Sequence, residues 1–145
     1  MLHEVARFRS DADVILTDLN AGLAPRMYGP NFIALNLAIL NESEKRVDYA
    51  NGGQPYPILK RGTEIIEIED SDLPLGSMKS VQYESITFDL AEGDMLIFHS
   101  DGLIEALNPN EEMSGAERLI ALVSQIPNES TAEEAIQHIG QCTQA

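Results

Sequence analysis

Residues 94–107 read DMLIFHSDGLIEAL, and this stretch decides how the fold of the chain is interpreted. An apolar run from Met95 to Phe98 predicts a buried strand, which ends abruptly at His99-Ser100-Asp101-Gly102 before apolar residues resume. Two interpretations of Asp101 are open here. Asp-Gly is a common tight-turn dipeptide, and an aspartate before a short helix caps free backbone amides. A carboxylate at the mouth of a buried strand is equally well placed to bind a metal ion.

The length and composition predict a single cytoplasmic domain. With 145 residues, 43% of them hydrophobic, the chain is long enough to bury a sizeable core. No apolar window approaches the roughly 18 residues of a membrane span, and the N-terminus lacks the apolar segment of a signal peptide, so we expect no membrane partner. The single cysteine, Cys142, excludes an internal disulfide and indicates a thiol without a redox role.

The net charge of −15 argues against a nucleic-acid partner. Binding to phosphates requires lysine and arginine, and the chain has only nine of these residues. Acidic surfaces mostly confer solubility. A basic or metal-bridged partner is the other interpretation of the charge.

The apolar periodicity predicts one helix, about six strands and then two helices. The first helix has an N-cap at Ser10 or Asp11 and a stripe formed by Ala12, Ile15, Leu16, Leu19 and Leu23. FIALNLAIL (32–40) is so apolar that we expect a strand covered on both faces. Shorter strands are predicted at 46–50, 56–60, 64–69, 84–90 and 94–99.

Two capping boxes mark the C-terminal helices. The box from Ser114 to Glu117 precedes the stripe Leu119, Leu122, Val123 and Ile126. The box from Thr131 to Glu134 begins a helix expected to bury Ala135, Ile136 and Ile139. The fold class is therefore α+β, with antiparallel β-sheets and flanking helices.

Few other side chains suggest chemistry. The sequence contains no G-x-x-x-x-G-K, G-x-S-x-G or H-E-x-x-H motif, and His3, His99 and His138 share no metal-ligand spacing. His99 is retained as a candidate because it precedes Asp101 at a strand end, although strand alternation could simply turn it to the other face. Asp94 follows Gly93 in a turn, for which we predict a structural role.

Five ordered blocks of sequence resemble a known family. They resemble the bacterial branch of the protein phosphatase 2C family, the metal-dependent serine/threonine phosphatases typified by stage II sporulation protein E and stress-response sigma-factor regulators. The resemblance covers nearly the whole chain. The blocks are LTDLNAGL (16–23), NFIALNLAIL (31–40), YANGGQPYPIL (49–59), LPLGSM (73–78) and LAEGDMLIFHSDGLIEALNPNEEMSGAERL (90–119).

The resemblance implies a fold and a chemistry. It implies two antiparallel sheets packed face to face, with carboxylates at one edge that hold two Mg²⁺ or Mn²⁺ ions. Such ions activate a water molecule against the phosphorus of a phosphoserine or phosphothreonine. Asp101 matches the aspartate of the family's late Asp-Gly motif, which is a ligand of one metal, and oxygen ligands suit these cations. Glu105 also matches a family position, where a site role and a helix-surface role are both open.

The departures from the family pattern predict an incomplete site. The family's first metal-binding aspartate, its Asp-Gly-His-Gly motif and its final Asp-Asp-x-Thr motif are absent, and the usual Asn-Ala-Gly-His is Asn51-Gly52-Gly53-Gln54 here. We therefore expect residues 1–145 to be the C-terminal portion of one phosphatase 2C-like domain, with no activity alone. Exposed core surfaces and strand edges would then favour a homo-oligomer formed through the truncated face.

Three hypotheses about function follow. The first is a metal-dependent phosphatase acting on a phosphorylated regulatory protein, such as an anti-anti-sigma factor. The second is a non-catalytic interaction module that retained the scaffold, because fold and function separate readily. The third is an unrelated acidic binding domain in which Asp101-Gly102 is only a turn.

Overall fold

The computed structural model describes residues 11–107 and 115–143. The predicted first helix, six strands and last two helices are confirmed, with somewhat different bounds, and the short helix α2 adds to the predicted order. Within the described ranges, none of the helices is long and apolar enough to cross a membrane. The elements are α1 (Ala12–Leu23), a 3₁₀ turn (Ala24–Arg26), β1 (Leu35–Asn41), β2 (Arg46–Gly52), β3 (Ile58–Arg61), β4 (Glu64–Glu67), β5 (Ile86–Asp89), β6 (Met95–Ile97), α2 (Asp101–Ala106), α3 (Gly115–Gln125) and α4 (Ala132–Thr143).

The chain divides into two compact units, each with its own sheet. The first unit comprises Met1–Gln54 and Asp70–Leu90, and the second comprises Pro55–Glu69 and Ala91–Ala145. The fold class is the predicted one, since both sheets are antiparallel and helices pack on them. That all residues belong to one domain stays a prediction.

The first unit is a three-stranded antiparallel sheet in the order β1-β2-β5 with α1 packed on one face. Strand alternation explains which β1 side chains meet the helix: Leu35, Leu37 and Ile39 pack against its core, and the residues between them point away. The α1 stripe is confirmed as the buried face. The core of this unit consists of Ala12, Ile15, Leu16, Leu19, Ala50, Leu75 and Tyr83.

The expectation that FIALNLAIL is covered on both faces is wrong. The strand begins only at Leu35, and the Phe32 and Leu40 side chains are 61% and 53% exposed. The reason is that α1 covers one face: Leu35, Leu37 and Ile39 face its core, whereas Leu40 points to the opposite face of the strand. Ahead of it, Ile33 forms only an isolated bridge with Leu75.

The second unit is a three-stranded antiparallel sheet in the order β4-β3-β6, whose core also contains residues of α2, α3 and α4. The capping box of α4 is confirmed, because the Thr131 amide donates to Glu134 Oε2 (2.7 Å) and the Glu134 amide donates to Thr131 Oγ1 (3.3 Å). The other box rests on Ser114, which lies outside the described residues. The buried core consists of Ile58, Leu107, Leu119, Leu122, Val123, Ile126, Ala135 and Ile139.

The expected burial of Ile136 is wrong, because its side chain is 71% exposed. Ala135 and Ile139 are four residues apart and share the buried face of α4. Ile136 is one residue further round the helix and points to solvent. The apolar stripe of α4 is therefore narrower than the sequence predicts.

Candidate functional site

Asp101 lies where the second sheet passes into a helix. β6 pairs with β3 in antiparallel register, with Ile97 opposite Ile58 and Leu96 opposite Leu59. The chain then leaves the sheet through residues 98–100, and Asp101 is the first residue of α2, with an exposed side chain. A strand anchored in the sheet thus delivers an accessible carboxylate to its end.

The tight-turn interpretation of Asp101-Gly102 is wrong, because these two residues open a helix. Ser100 is the N-cap in an extended conformation, with φ −112° and ψ 165°, and the Leu103 amide donates to its carbonyl at 3.1 Å. Asp101 is one residue too late to be the N-cap. Its carboxylate instead lies in the first helical turn, where the helix dipole favours negative charge. The role of metal ligand stays a prediction.

Helix α2 is held in place by close packing against α3. Gly115 begins α3 so near to α2 that an added Cβ would overlap the Ile104 carbonyl oxygen. Leu103 and Ile104 pack on the core of the second unit, and Leu107, directly after the helix, is 1% exposed. The position of Asp101 therefore depends on a glycine fourteen residues further along the chain.

His99 fixes the connection between β6 and α2. Its Nε2 lies 3.0 Å from the carbonyl oxygen of Tyr56, in the segment before β3. Since a carbonyl only accepts, Nε2 carries the proton and donates it. The Nδ1 atom is buried without a hydrogen-bond partner in the part of the chain that the structure describes. This contact makes His99 a positioning residue for the strand end that precedes Asp101.

Asp94, at the other end of β6, has the structural role that the sequence predicts. Arg61 of β3 donates Nη2–H to Asp94 Oδ2 at 2.6 Å, and its Nε lies 3.1 Å from both carboxylate oxygens. The amide of Ala91 donates to the same carboxylate at 2.8 Å. The Arg61 hydrogen bond, above all, holds the pKa of Asp94 below its usual range. These bonds tie the turn before β6 to β3.

Glu105 lies on α2 four residues after Asp101, and both side chains are exposed. Residues separated by four positions share one face of an α-helix. The spacing therefore places a second carboxylate on the side of α2 that carries Asp101. Whether it joins a site stays a prediction.

The described residues do not by themselves fit a two-ion centre. Within residues 11–107 and 115–143, no group of three or more His, Cys, Asp or Glu side chains is arranged to hold a metal ion. Two hard divalent cations need several oxygen ligands. Asp101 would supply one such ligand, and the other residues of 11–107 and 115–143 do not complete a coordination shell around it.

Asn20 has a structural role that sequence reasoning missed. Its side chain is 1% exposed; Oδ1 accepts the Gly76 amide (2.8 Å) and Nδ2 donates to the Met78 carbonyl (3.0 Å). Gly76 has φ +87°, a backbone conformation that residues other than glycine rarely adopt. Asn20 thus joins the block LTDLNAGL to the block LPLGSM. The signal in the sequence was a polar residue inside an apolar helical stripe.

Asn51, in the block YANGGQPYPIL, likewise has a structural role that sequence reasoning missed. Its buried Nδ2 donates to the carbonyl oxygens of Gln54 (2.9 Å) and Asp70 (2.6 Å), while Oδ1 accepts the Gln54 amide (2.8 Å). The Asn51 amide donates to Asp70 Oδ2 at 3.2 Å. Burial nevertheless raises the pKa of Asp70. The side chains of both asparagines bond to the backbone of loops in the first unit and so hold these loops in place.

Comparison with known proteins identifies the relatives of the chain. The family model for stage II sporulation protein E (SpoIIE) matches residues 1–145. Stage II sporulation protein E of Bacillus subtilis is 25% identical over 105 residues, which is 72% of this chain and 13% of that protein. The chain therefore spans a small part of the full-length relative.

Solved structures agree with this family. A structure of the PP2C phosphatase domain and part of the regulatory domain of Bacillus subtilis SpoIIE has a TM-score of 0.75 and 22% identity, covering 94% of this chain and 43% of that one. The Mn-presoaked phosphatase domain of the same protein has a TM-score of 0.67 and 20% identity, covering 99% of this chain and 62% of that one. The chain belongs to the stage II sporulation protein E family and has the fold of part of a PP2C-type phosphatase domain.

Proposed function

We propose that this chain is the C-terminal part of a metal-dependent protein serine/threonine phosphatase domain that hydrolyses phosphoserine on a regulatory protein, such as an anti-anti-sigma factor. The observation that supports it most is the family match over residues 1–145. The role of Asp101 in the proposal comes from its Asp-Gly sequence, which resembles the family's late Asp-Gly motif. The exposed position of Asp101 at the end of a packed strand suits a residue that must reach a ligand.

We assign Asp101 as a ligand of Mn²⁺ or Mg²⁺. A carboxylate oxygen is the donor that both cations prefer. The geometry supports the choice of Asp101 over Asp94, because the Asp94 carboxylate is occupied by Arg61 and the Ala91 amide. The phosphatase domain of the Bacillus subtilis relative has been solved in a Mn-presoaked form.

The chain alone is inactive in this proposal. The described residues lack a metal-holding group, and the chain covers 43% of a related crystal chain that contains the phosphatase domain. The remaining ligands are supplied from outside these residues. Residues 94–107 then contribute a rigid platform for one carboxylate, with His99 and Gly115 maintaining its position.

The test compares this chain with a longer form that includes the neighbouring coding sequence of its gene. Phosphate release from a phosphorylated anti-anti-sigma protein is measured with Mn²⁺ or Mg²⁺, and Mn²⁺ binding is measured by calorimetry. We expect activity only in the longer form, with the activity of the Asp101→Asn variant reduced at least about a hundredfold, because loss of a residue that merely supports a metal ligand already costs about 10–100-fold. Glu92→Gln removes an exposed charge before β6 and should leave the rate unchanged. A longer form that is inactive with both metals would refute the proposal.

A second candidate is a non-catalytic interaction module. The observation that favours it is the lack of a metal-holding group in residues 11–107 and 115–143. It predicts a longer form that binds the phosphorylated protein in calorimetry but neither binds Mn²⁺ nor releases phosphate. The unmodified Asp101 and the Asp101→Asn variant would then bind the phosphoprotein equally.

A further inference from the structure

The segment that carries Gly76 is tied to the first unit through its own backbone. The Leu75 amide donates to the Ile33 carbonyl, and the Ile33 amide donates to the Leu75 carbonyl, both at 2.9 Å. The Gly76 amide donates to Asn20 Oδ1 at 2.8 Å. Residues 73–78, here called the Gly76 loop, lie outside the strands and helices, so these hydrogen bonds determine the position of the loop.

The side chain of Met27 covers the Gly76 loop. Met27 follows the 3₁₀ turn directly and is partly buried. A Cβ added at Gly76 would overlap Met27 Sδ and would lie 3.0 Å from Met27 Cε. The thioether thus occupies the space that a side chain at position 76 would fill. It packs directly on the backbone that bonds to Asn20.

Met78 belongs to the same loop but is placed differently. Its backbone carbonyl accepts a hydrogen bond from Asn20 Nδ2 at 3.0 Å, whereas its side chain is 55% exposed. The loop therefore has two methionines beside it, one that packs on its backbone and one whose side chain lies largely in water. Peroxides oxidise a thioether to a sulfoxide, which changes an apolar side chain into a polar one.

We propose that Met27 is a site of oxidation by peroxides and that its oxidation loosens the Gly76 loop. A lone pair of Met27 Sδ attacks one oxygen of hydrogen peroxide, the O–O bond breaks and an S–O bond forms. The hydroxide that leaves takes the proton of the transferred oxygen and becomes water. Sulfur loses two electrons and the peroxide gains them, so the step is balanced. The inference is independent of phosphatase activity.

The surroundings of Met27 explain why a sulfoxide would not keep the position of the thioether. The nearby loop amides already have acceptors: Leu75 donates to Ile33, Gly76 to Asn20, and Ser77 to the Pro74 carbonyl at 3.2 Å. A sulfoxide oxygen against this backbone would lack a donor, which is unfavourable. The alternative is that the side chain turns to water, and Gly76 then loses its apolar cover. Both outcomes allow the Gly76 loop to open more often.

The first experiment combines oxidation with amide hydrogen exchange. The chain is treated with hydrogen peroxide in a Cys142→Ser background, because the thiol also reacts. Sulfoxides are located by peptide mass spectrometry, and exchange of the Gly76 amide is followed by NMR. We expect oxidation of Met27 to speed this exchange about tenfold or more. Methionine sulfoxide reductases should reverse the effect.

Two substitutions separate the methionines. Met27→Leu keeps an apolar cover that cannot be oxidised, so peroxide should no longer speed exchange at Gly76. Met78→Leu is the matched control and should keep the full response, because the Met78 side chain is exposed. A response that survives Met27→Leu, or a Met27 side chain that stays unoxidised after Met78 is fully oxidised, would overturn the proposal.

A measurement on the unsubstituted side chains covers the case in which Met27→Leu fails to fold. Chains oxidised at Met78 alone are separated by chromatography from chains oxidised at both positions. We expect exchange at Gly76 to be unchanged in the first group and faster in the second. Met27→Gln should reproduce the faster exchange without peroxide, because its amide is polar like a sulfoxide. Equal exchange in the two groups would show that the contact of Met27 with Gly76 does not hold the loop.

Discussion

The two ends of β6 carry aspartates in opposite situations. Before the strand, the Asp94 side chain is 3% exposed and bound by Arg61 and the Ala91 amide. After the strand, Asp101 begins α2 with its side chain in solvent. Both residues stand next to a glycine in the sequence, but the structure gives their carboxylates opposite surroundings.

This difference shows how a carboxylate becomes available for binding. Asp94 already has its charge neutralised by a guanidinium and its oxygens satisfied by internal donors, so it stabilises the turn. Asp101 is held in place through the backbone, by β6 on one side and by α2 on the other. A side chain positioned in this way keeps its oxygens for a ligand.

The largest loss of stability is expected where α3 packs against α2, the helix that begins with Asp101. Gly115→Ala would push a Cβ into the Ile104 carbonyl oxygen, which is backbone and cannot rotate away. We expect a loss of about 2–3 kcal/mol in the free energy of unfolding, as for overpacked cores. Urea denaturation followed by circular dichroism measures it.

Gly140→Ala is the matched control for Gly115→Ala. Gly140 lies within α4 and an added Cβ would meet nothing within 4 Å, so the change should stabilise the chain by up to about 1 kcal/mol. If both variants unfold at the same urea concentration, α2 is not fixed by the close approach of α3.

A smaller loss is expected at the Asp94 end. Asp94→Asn removes the charge from a carboxylate that receives three Arg61 contacts within 3.1 Å. We expect a loss of about 1–2 kcal/mol at neutral pH, limited by the partial exposure of Arg61. The urea midpoint measures it. Asp89→Asn is the control, because its ion pair with Arg46 is exposed and long (3.4 Å), and should cost much less. Equal losses would show that burial of Asp94 is unimportant.

The elements of the fold were largely predictable from sequence, because local periodicity and turn residues determine them. The helix over Ala12–Leu23 and the capping box at Thr131 are examples. Exposure was less predictable, since it depends on what lies beside an element. Leu40 and Ile136 are apolar in sequence yet exposed, because Leu40 lies on the face of β1 away from α1 and Ile136 lies off the buried face of its helix.

The candidate site was predictable only in part. The exposed position of Asp101 was predictable, because the sequence shows an apolar strand that ends before His99-Ser100-Asp101-Gly102. The hydrogen bond from His99 to Tyr56 joins residues 43 positions apart, and no local pattern reveals such a contact. The same holds for the ion pair between Arg61 and Asp94, since it depends on the register of β3 and β6.

The stability contributed by Asp94 should depend on pH in the acid range. The pKa of Asp94 is lowered by the Arg61 hydrogen bond, so its contribution is present above the ordinary value of about 3.9 and is lost as the pH falls through the lower, folded-state pKa. The difference in the free energy of unfolding between Asp94→Asn and the unmodified chain should therefore disappear as the pH falls below about 4. Urea unfolding at several pH values measures this.

The pKa of Asp70 is shifted in the opposite direction, so this residue is the control for the pH experiment. Burial raises its pKa, so its contribution is present below the ordinary value of about 3.9 and is lost as the pH rises through the higher, folded-state pKa. The difference in the free energy of unfolding between Asp70→Asn and the unmodified chain should then change above about pH 3.9. Two variants with the same pH dependence would contradict both assignments.

The smallest effect is expected at the exposed end itself. A Cβ at Gly102 would have only Ser100 Oγ within 4 Å, at 3.8 Å, and Gly102 lies in a helix without positive φ. Gly102→Ala should therefore leave the thermal midpoint unchanged or raise it slightly. Asp101→Asn should lower it only slightly, because it removes a favourable negative charge from the first turn of α2. Differential scanning calorimetry of both variants measures this. If either one destabilises the chain as much as Asp94→Asn does, Asp101 is part of the scaffold, and the contrast between the two ends of β6 is lost.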